Sequence, residues 1–186
     1  CFMQGKLDES EKYCLKAVSM SDAETLPTGS KLQPLRVLGD IYSQRDDLES
    51  ALKIYEKLYG ITEGIKENHP PIYQDACSKL ADIYSRMGNY PEAEKYYRLG
   101  LDWWRSHNKD ESIYAAKSLY GLGSVLALQR KNDQAEEAFK EGLPICRATA
   151  GARSSLMGAM QKKYLEVLWH NKPWEALRMQ LSEGAK

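Results

Sequence analysis

Residues 69–101 read HPPIYQDACSKLADIYSRMGNYPEAEKYYRLGL, and this stretch carries the strongest fold signal in the chain. Its first half places Cys77, Leu80 and Ala81 at positions i, i+3 and i+4, which lie on one face of an α-helix. The short polar segment Met-Gly-Asn at 87–89 separates this half from a second helical pattern. Because so short a turn reverses the chain, the stretch predicts two antiparallel helices packed as a hairpin.

The same pattern recurs along the chain at a shift of 42 residues. Segments equivalent to Leu-Ala-Asp-Ile-Tyr at 80–84 stand at 38–42, 122–126 and 164–168. Segments equivalent to Tyr-Pro-Glu-Ala at 90–93 stand at 48–51 and 132–135, and aromatic residues follow at Tyr55, Tyr97 and Phe139. Agreement of several columns at one shift predicts a helical-repeat array.

Small residues recur in two columns of the repeat. They are Gly39, Ala81 and Gly123 on the first helices, and Ala51, Ala93 and Ala135 on the second helices. Glycine inside a helix costs about 1 kcal/mol relative to alanine, so its recurrence needs a packing reason. We expect the backbone of another helix to approach the first-helix column closely, and the aromatic side chains to fill the space between hairpins.

The repeat boundaries follow from these columns. We predict a single repeat domain over 1–186, opening at about 1–20 with the second helix of a partial repeat. Full repeats are predicted at 31–66, 70–106 and 112–148, and a divergent C-terminal capping repeat at 154–186. No β-strand pattern competes with the helical period, so we predict an all-α fold.

Composition argues against several classes of protein. The 26 Lys and Arg residues balance 26 Asp and Glu residues, which gives no general attraction to nucleic acid or to an anionic membrane. No apolar run approaches the roughly 20 residues that span a bilayer. The four cysteines, Cys1, Cys14, Cys77 and Cys146, are too far apart for a zinc pair or a redox motif. We predict no cofactor, no metal, and a reducing, cytoplasmic location.

These columns resemble those of tetratricopeptide repeats: Leu-Gly/Ala-x-x-Tyr, a glycine turn, Tyr-x-Glu-Ala, then an aromatic and a small residue. The 42-residue period with its His-Pro lead-in is similar to the kinesin-light-chain-like subclass. The resemblance implies a right-handed α-α superhelix, a solenoid of antiparallel helix hairpins. It also implies a scaffold for protein–protein interaction, although such scaffolds serve many unrelated systems.

Two specialised binding modes of this family depend on residues that differ here. Adaptors that grip a C-terminal carboxylate use asparagine in a column that here reads Asp40, Asp82, Ser124 and Glu166. Kinesin light chains carry paired asparagines before the Leu-Ala dipeptide, where the best copy here has Ser78-Lys79. We therefore expect neither the carboxylate clamp nor cargo binding of that kind.

The resemblance places the first helices along a concave surface, and residues one step from the core stripe point into it. The predicted groove comprises Arg36, Asp40, Ser43, Lys79, Asp82, Arg86, Lys117, Tyr120, Ser124, Lys162, Glu166 and Trp169. Its acids and bases suit an extended or helical peptide held by charge-assisted hydrogen bonds. The alternative is a solvated helix face whose charges pair with one another.

No converging catalytic set is visible, so we predict that the chain is not an enzyme. His69, His107 and His170 lie in or beside turns, and there is no phosphate loop, metalloprotease motif or nucleophile elbow. Adjacent residues on a helix point in different directions. We therefore expect Trp103 or Trp104 to be partly exposed or to pack under the following loop.

The leading hypothesis is a scaffold that binds a protein or peptide partner in the groove. One alternative is a regulatory sensor module of a larger protein that binds a small ligand or a signalling peptide. A second is a self-assembly module, because the opening half repeat carries Leu7, Tyr13 and Val18 without the helix that should cover them.

Overall fold

The computed structural model describes residues 2–23, 29–107, 112–151 and 153–184, and every regular element in those ranges is an α-helix. The helices are α1 Phe2–Ala23, α2 Gly29–Gln44, α3 Leu48–Glu63, α4 Pro70–Arg86, α5 Tyr90–Ser106, α6 Ile113–Leu128, α7 Asn132–Ala150, α8 Ser155–Asn171 and α9 Pro173–Gly184. The all-α prediction is confirmed. Three residues of the predicted ranges lie outside the described residues: Cys1, Ala185 and Lys186.

The helices group into two compact units, residues 1–88 with α1 to α4 and residues 89–186 with α5 to α9. Within each unit, successive helices pack on one another, and in the second unit α6 also contacts α8. The division falls inside the predicted repeat 70–106, whose first helix closes one unit and whose second helix opens the other.

The first-helix glycines pack against aromatic rings. A Cβ atom added to Gly39 would lie 2.7 Å from the Tyr55 ring, and one added to Gly123 would lie 2.8 Å from the Phe139 ring. Both rings are fully buried. The expectation of a closely approaching helix backbone is therefore wrong at these two positions, because the aromatic residue sixteen positions later in the same repeat occupies that space.

A second glycine on α6, Gly121, packs against an aromatic ring of the preceding helix. A Cβ atom on Gly121 would overlap the ring of Tyr97, which extends from α5. Gly121 lies outside the small-residue columns that the repeat pattern revealed, because no other copy carries glycine there.

Three of the turns between successive helices share a left-handed residue at the repeat period, whereas Lys172 between α8 and α9 has a φ of −143°. Asp46, Gly88 and Arg130 have φ values of 62°, 79° and 64°. At Asp46 and Arg130, the following residue donates to the carbonyl five positions back, over 3.0 Å and 2.9 Å. This is the Schellman arrangement, in which glycine normally occupies the left-handed position. Two of these three turns therefore hold a non-glycine residue in a strained backbone conformation.

Both adjacent tryptophans on α5 are buried, with 7% exposure for Trp103 and 5% for Trp104. Trp104 stacks on Tyr114 of α6, with ring centroids 5.3 Å apart. Trp103 stacks on His107, the first residue after its own helix, at 4.1 Å. Neither tryptophan is partly exposed, and Trp103 meets the other alternative of the prediction by packing against the segment that follows α5.

Candidate functional site

A cleft of about 290 Å³ opens between α2 and α4 in the first unit. It is lined by Ser43, Tyr55, Lys79, Asp82, Ile83, Ser85 and Arg86. We call it the first cleft. Four of its lining residues, Ser43, Lys79, Asp82 and Arg86, belong to the predicted groove, so the spacing of the repeat does bring them together.

The carboxylate of Asp40 on α2 binds side chains of the other two helices that form the first cleft, α3 and α4. It accepts a hydrogen bond from the Tyr55 hydroxyl at 2.7 Å and from the Lys79 ammonium at 2.6 Å. Arg36 lies one turn away, with 3.6 Å between its guanidinium and the carboxylate. Burial by itself raises the pKa of the Asp40 carboxyl, but the hydrogen bonds from Lys79 and Tyr55 outweigh it and lower that pKa.

Arg86 closes the rim of the same cleft. Its guanidinium donates to the backbone oxygen and the hydroxyl of Ser43, at 3.1 Å and 2.7 Å, and to the Asp46 carboxylate at 2.6 Å. The principal cations of this cleft therefore already bind acids of their own unit. This arrangement matches the alternative reading of the groove as a face whose charges pair with one another.

A cleft of about 330 Å³ opens between α6 and α8 in the second unit. It is lined by Ser124, Ala127, Leu128, Arg130, Asn132, Lys163, Glu166, Val167 and His170. We call it the second cleft. Here Lys163 binds Glu166 on its own helix at 2.8 Å, and the Ser124 hydroxyl donates to the Tyr120 carbonyl on α6.

The remaining predicted groove residues do not line either cleft. Lys117 and Lys162 are exposed, Tyr120 is half-buried and Trp169 is 46% exposed. On α8 the cleft is lined by Lys163, Glu166 and His170; Glu166 was predicted, whereas Lys163 and His170 line the cleft in place of the predicted Lys162 and Trp169. Arg36 lies beside the first cleft as a neighbour of Asp40.

The two clefts occupy equivalent positions, separated by two repeat periods of 42 residues. Ser43 corresponds to Ala127, Lys79 to Lys163, Asp82 to Glu166, Ile83 to Val167 and Arg86 to His170. The repeat therefore builds the same cleft twice, and only the chemistry of the lining differs.

Carboxylates outside the clefts join successive repeats in the second unit. Glu94 on α5 accepts from Lys131 at 2.8 Å and from Gln129 at 2.9 Å, and it also pairs with Arg98. Burial raises the pKa of Glu94, but the hydrogen bonds from these partners outweigh it and lower the pKa to about 2.

Glu136 is the equivalent residue one period later. It forms the same kind of carboxylate clamp, a carboxylate that binds a cation from the following hairpin, and accepts from Lys172 at 2.9 Å. Burial raises its pKa, and hydrogen bonds from Lys140 and Lys172 reverse the direction and lower it. In the first unit Arg45 binds Asp8 and Glu11 of α1 in a similar way. The recurrence of Glu94 and Glu136 at the 42-residue shift was the signal that could have revealed the clamp.

The described ranges contain neither a cluster of metal ligands nor a membrane-spanning helix. No group of three or more histidine, cysteine, aspartate or glutamate side chains there is placed to hold a metal ion. No helix in those ranges combines the length and apolar composition that a membrane span requires. Cys14, Cys77 and Cys146 are free thiols, and burial raises the pKa of Cys77 to about 12.

Two sequence patterns described as tetratricopeptide repeat match the chain, over residues 74–148 and 35–68. The chain is 25% identical over 138 residues to response regulator aspartate phosphatase A of Bacillus subtilis, covering 74% of this chain and 35% of that protein. It is 26% identical over 140 residues to kinesin light chain-related protein 3 of Arabidopsis thaliana, covering 69% and 21%. The chain thus spans about a third or less of these curated relatives.

Among solved structures, BtubC (BKLC) from P. vanneervenii superposes with a TM-score of 0.78 at 18% identity. The match covers 95% of this chain and 69% of that chain. Identity at this level shows the fold alone. The predicted fold class, an all-α solenoid of helix hairpins, is confirmed by this likeness.

Proposed function

Since the chain belongs to the tetratricopeptide repeat family and has kinesin-light-chain-like repeats, we propose that it is a scaffold whose protein partner binds on the first-helix faces. The observation that supports this role is the recurrence of one cleft, at equivalent repeat positions, in both units. Each cleft opens between successive first helices and combines charged side chains with an aliphatic wall, as an extended or helical peptide requires.

Tetratricopeptide repeats typically act as non-catalytic scaffolds, and we propose the same for this chain. One distant relative is named as a phosphatase, and this chain spans 35% of its length. Neither of the alternatives, a sensor module or a self-assembly module, is favoured by these relatives. The balanced charge supports a partner other than nucleic acid or membrane, and the free thiols support a reducing location.

Peptide display on the immobilised chain tests the proposal. Peptides are selected from a random library on the native chain. Their affinities are then measured for the native chain, for Asp82→Arg in the first cleft and for Leu128→Arg in the second cleft. Glu137→Arg on the second helix α7 is the matched control, because Glu137 is exposed and the substitution makes the same charge change as Asp82→Arg. We expect a loss of affinity with one or both cleft variants and no loss with the control. Binding that is indifferent to both cleft variants would remove the first-helix faces from consideration.

Self-association through α1 stays a prediction. Tyr13 is 70% exposed and Leu15 is 46% exposed, so this helix presents apolar side chains to solvent. Sedimentation of the chain over a range of concentrations checks it, with Tyr13→Ser as the variant that should shift any dimer toward monomer. A monomer at all concentrations would rule out pairing through this helix.

A further inference from the structure

We infer that the outward face of α9 is an interface between two copies of this chain, in which the two α9 helices pack antiparallel. No residue of α9 lines either cleft, so this surface goes beyond the proposed function and does not depend on it. A dimer formed in this way would carry two copies of each cleft and would hold a partner with two binding segments more tightly than a monomer does.

Helix α9 has one face packed on α8 and an opposite face in solvent. Ala176 is fully buried, whereas Trp174 is 78% exposed, Leu177 is 38% exposed and Arg178 is exposed. Because residues three and four positions apart are neighbours on a helix, these three exposed side chains form one stripe on the side opposite Ala176. We call this stripe the α9 face. Its exposed tryptophan is of the residue type most enriched at the centres of protein interfaces.

The preceding second helix, α7, carries polar residues where the α9 face is largely apolar. Because the last turn is one residue shorter, the α9 face corresponds on α7 to Asp133, Glu136 and Glu137. The fully buried Ala135 and Ala176 fix this alignment. Glu136 joins α7 to the following hairpin by accepting from Lys172, and Leu177 in its place on α9 cannot accept such a bond. A further hairpin of the same kind is therefore a poor match for the α9 face.

The α9 face is complementary to itself when two copies run antiparallel. Setting residue 174 of one copy against residue 178 of the other brings each Arg178 over the Trp174 ring and beside Glu175 of the opposite copy. A guanidinium binds favourably to both groups, by stacking on the indole and by pairing with the carboxylate. The two-fold symmetry makes this contact twice and brings the two Leu177 side chains together.

Arg178 is available for this contact. Among the residues that the structure describes, none forms an ion pair or hydrogen bond with Arg178, so no bond to them has to break first. A segment of a single charge would match only half of the face, because an acidic segment meets Glu175 and a basic segment meets Arg178. A second α9 supplies the complement of each. Since α9 has only 12 residues, the interface is small and the dimer should dissociate on dilution.

Sedimentation equilibrium over a range of concentrations tests the pairing. We expect a reversible dimer for the native chain, weakened about tenfold or more by Trp174→Ser, because a tryptophan buried at an interface is a typical hot spot. Tyr13→Ser is the matched control, since it also removes an exposed aromatic ring but lies on α1. This control should leave the α9 dimer unchanged.

Two charge variants test the antiparallel arrangement. Arg178→Glu places acids against Glu175 of the opposite copy, and Glu175→Arg places cations against Arg178, so each variant alone should be largely monomeric. An equimolar mixture should form a heterodimer, because every acid then faces a cation. Both positions are exposed, so both variants should fold, and thermal melting of each verifies this.

Three results would each overturn the inference. They are a native chain that stays monomeric at all concentrations, a dimer that survives Trp174→Ser, and a mixture of the charge variants that associates no more than its components do. None of these results bears on the clefts. Loss of peptide affinity with Asp82→Arg or Leu128→Arg would still support the scaffold role, so the two proposals fail independently.

Discussion

The first and second clefts show how one repeat geometry supports two kinds of surface. Both lie between successive first helices, and both keep a lysine, an acid and an aliphatic residue at equivalent positions. In the first cleft, Asp40 is shared by Lys79 and Tyr55, and Arg86 spans to Asp46, so charged side chains join α2 to α4. In the second cleft, the remaining acid pairs within α8.

The difference teaches that a charged column on a repeat protein need not be a binding surface. A cation that binds an acid of its own chain must break that contact before it can bind a partner, which subtracts from the affinity. Arg130 faces no such competition in the described part of the chain. Partner choice and repeat stability are thus expected to separate between the two clefts.

The largest effect should come from Gly39 and Gly123, the equivalent glycines that pack against Tyr55 and Phe139. Replacing Gly123 by leucine would drive a side chain into the Phe139 ring and is expected to destabilise the chain by about 3 kcal/mol. Gly39→Leu should cost a similar amount through Tyr55. Chemical denaturation measures both.

Gly158→Ala is the control for these variants, because a Cβ atom there meets nothing within 4 Å. It should be neutral or stabilising by about 1 kcal/mol. Gly151 is unsuitable, since its φ of 88° strains any substitution. If Gly123→Leu melts like Gly158→Ala, the packing of the aromatic column is not what the structure shows.

The next largest effect should divide the clefts. Asp40→Ala leaves the Tyr55 hydroxyl buried without its acceptor and should destabilise the chain by about 2 kcal/mol. Ser124→Ala removes only a hydroxyl bonded within α6 and should change stability by less than about 0.5 kcal/mol. Denaturant midpoints compare the two variants.

The double variant Asp40→Ala/Tyr55→Phe locates the cause of this difference. If the unpaired hydroxyl dominates, the second substitution should recover part of the lost stability. Equal effects of Asp40→Ala and Ser124→Ala would mean that the first cleft is no more tightly joined than the second.

Acid sensitivity should be found outside the cleft in the second unit. Because the folded pKa of Glu94 is depressed to about 2, its contribution is complete above the ordinary glutamate pKa of about 4.3 and is lost as pH falls toward 2. The Arg98 and Lys131 side chains are partly exposed, so solvent screens their attraction to Glu94. We therefore expect Glu94 to contribute on the order of 1 kcal/mol to the free energy of unfolding. Glu94→Gln should lower stability at neutral pH and flatten the acid limb of the melting profile between about pH 4.3 and 2. A limb unchanged by this substitution would assign the acid loss to other carboxylates.

The smallest effect concerns the left-handed turn residues. Arg130→Gly relieves a positive φ and should stabilise the chain by about 0.5–1 kcal/mol. Asp46→Gly relieves the same strain but loses the ion pair to Arg86, so its net gain should be near zero. Differential scanning calorimetry resolves the two, and an equal gain from both would show that the Arg86–Asp46 contact adds nothing to stability.

Much of the architecture could be predicted from the sequence, because it depends on residues that are close together along the chain. The spacing of Cys77, Leu80 and Ala81 indicates a helix, because it depends only on residues a few positions apart. The partners of the small residues were harder to foresee. Gly39 contacts Tyr55, and Gly121, which has no glycine counterpart in the other repeats, contacts Tyr97. Contacts of that kind depend on how deeply one ring inserts, which no spacing rule contains.

The groove shows the same limit. The column through Asp40, Asp82 and Glu166 lies on first helices, as the sequence indicated, yet on α8 the stripe that lines the cleft passes through Lys163 and His170. A shift of one residue turns a side chain by about 100° around the helix, so a small error in register exchanges a lining residue for a rim residue. Nor did the column separate acids that are bound from acids that are exposed.

By itself, the sequence determined the helices, the 42-residue period, the hairpin turns and the columns of small and aromatic residues, because each depends on neighbours a few positions apart. Only the tertiary structure decided that Lys79 binds Asp40 across a cleft, whereas the equivalent Lys163 binds Glu166 along its own helix. Both lysines have acids within reach of their side chains. Which one is bound depends on distances between helices and on whether Tyr55 or Phe139 stands behind them, and those quantities exist only once the chain has packed.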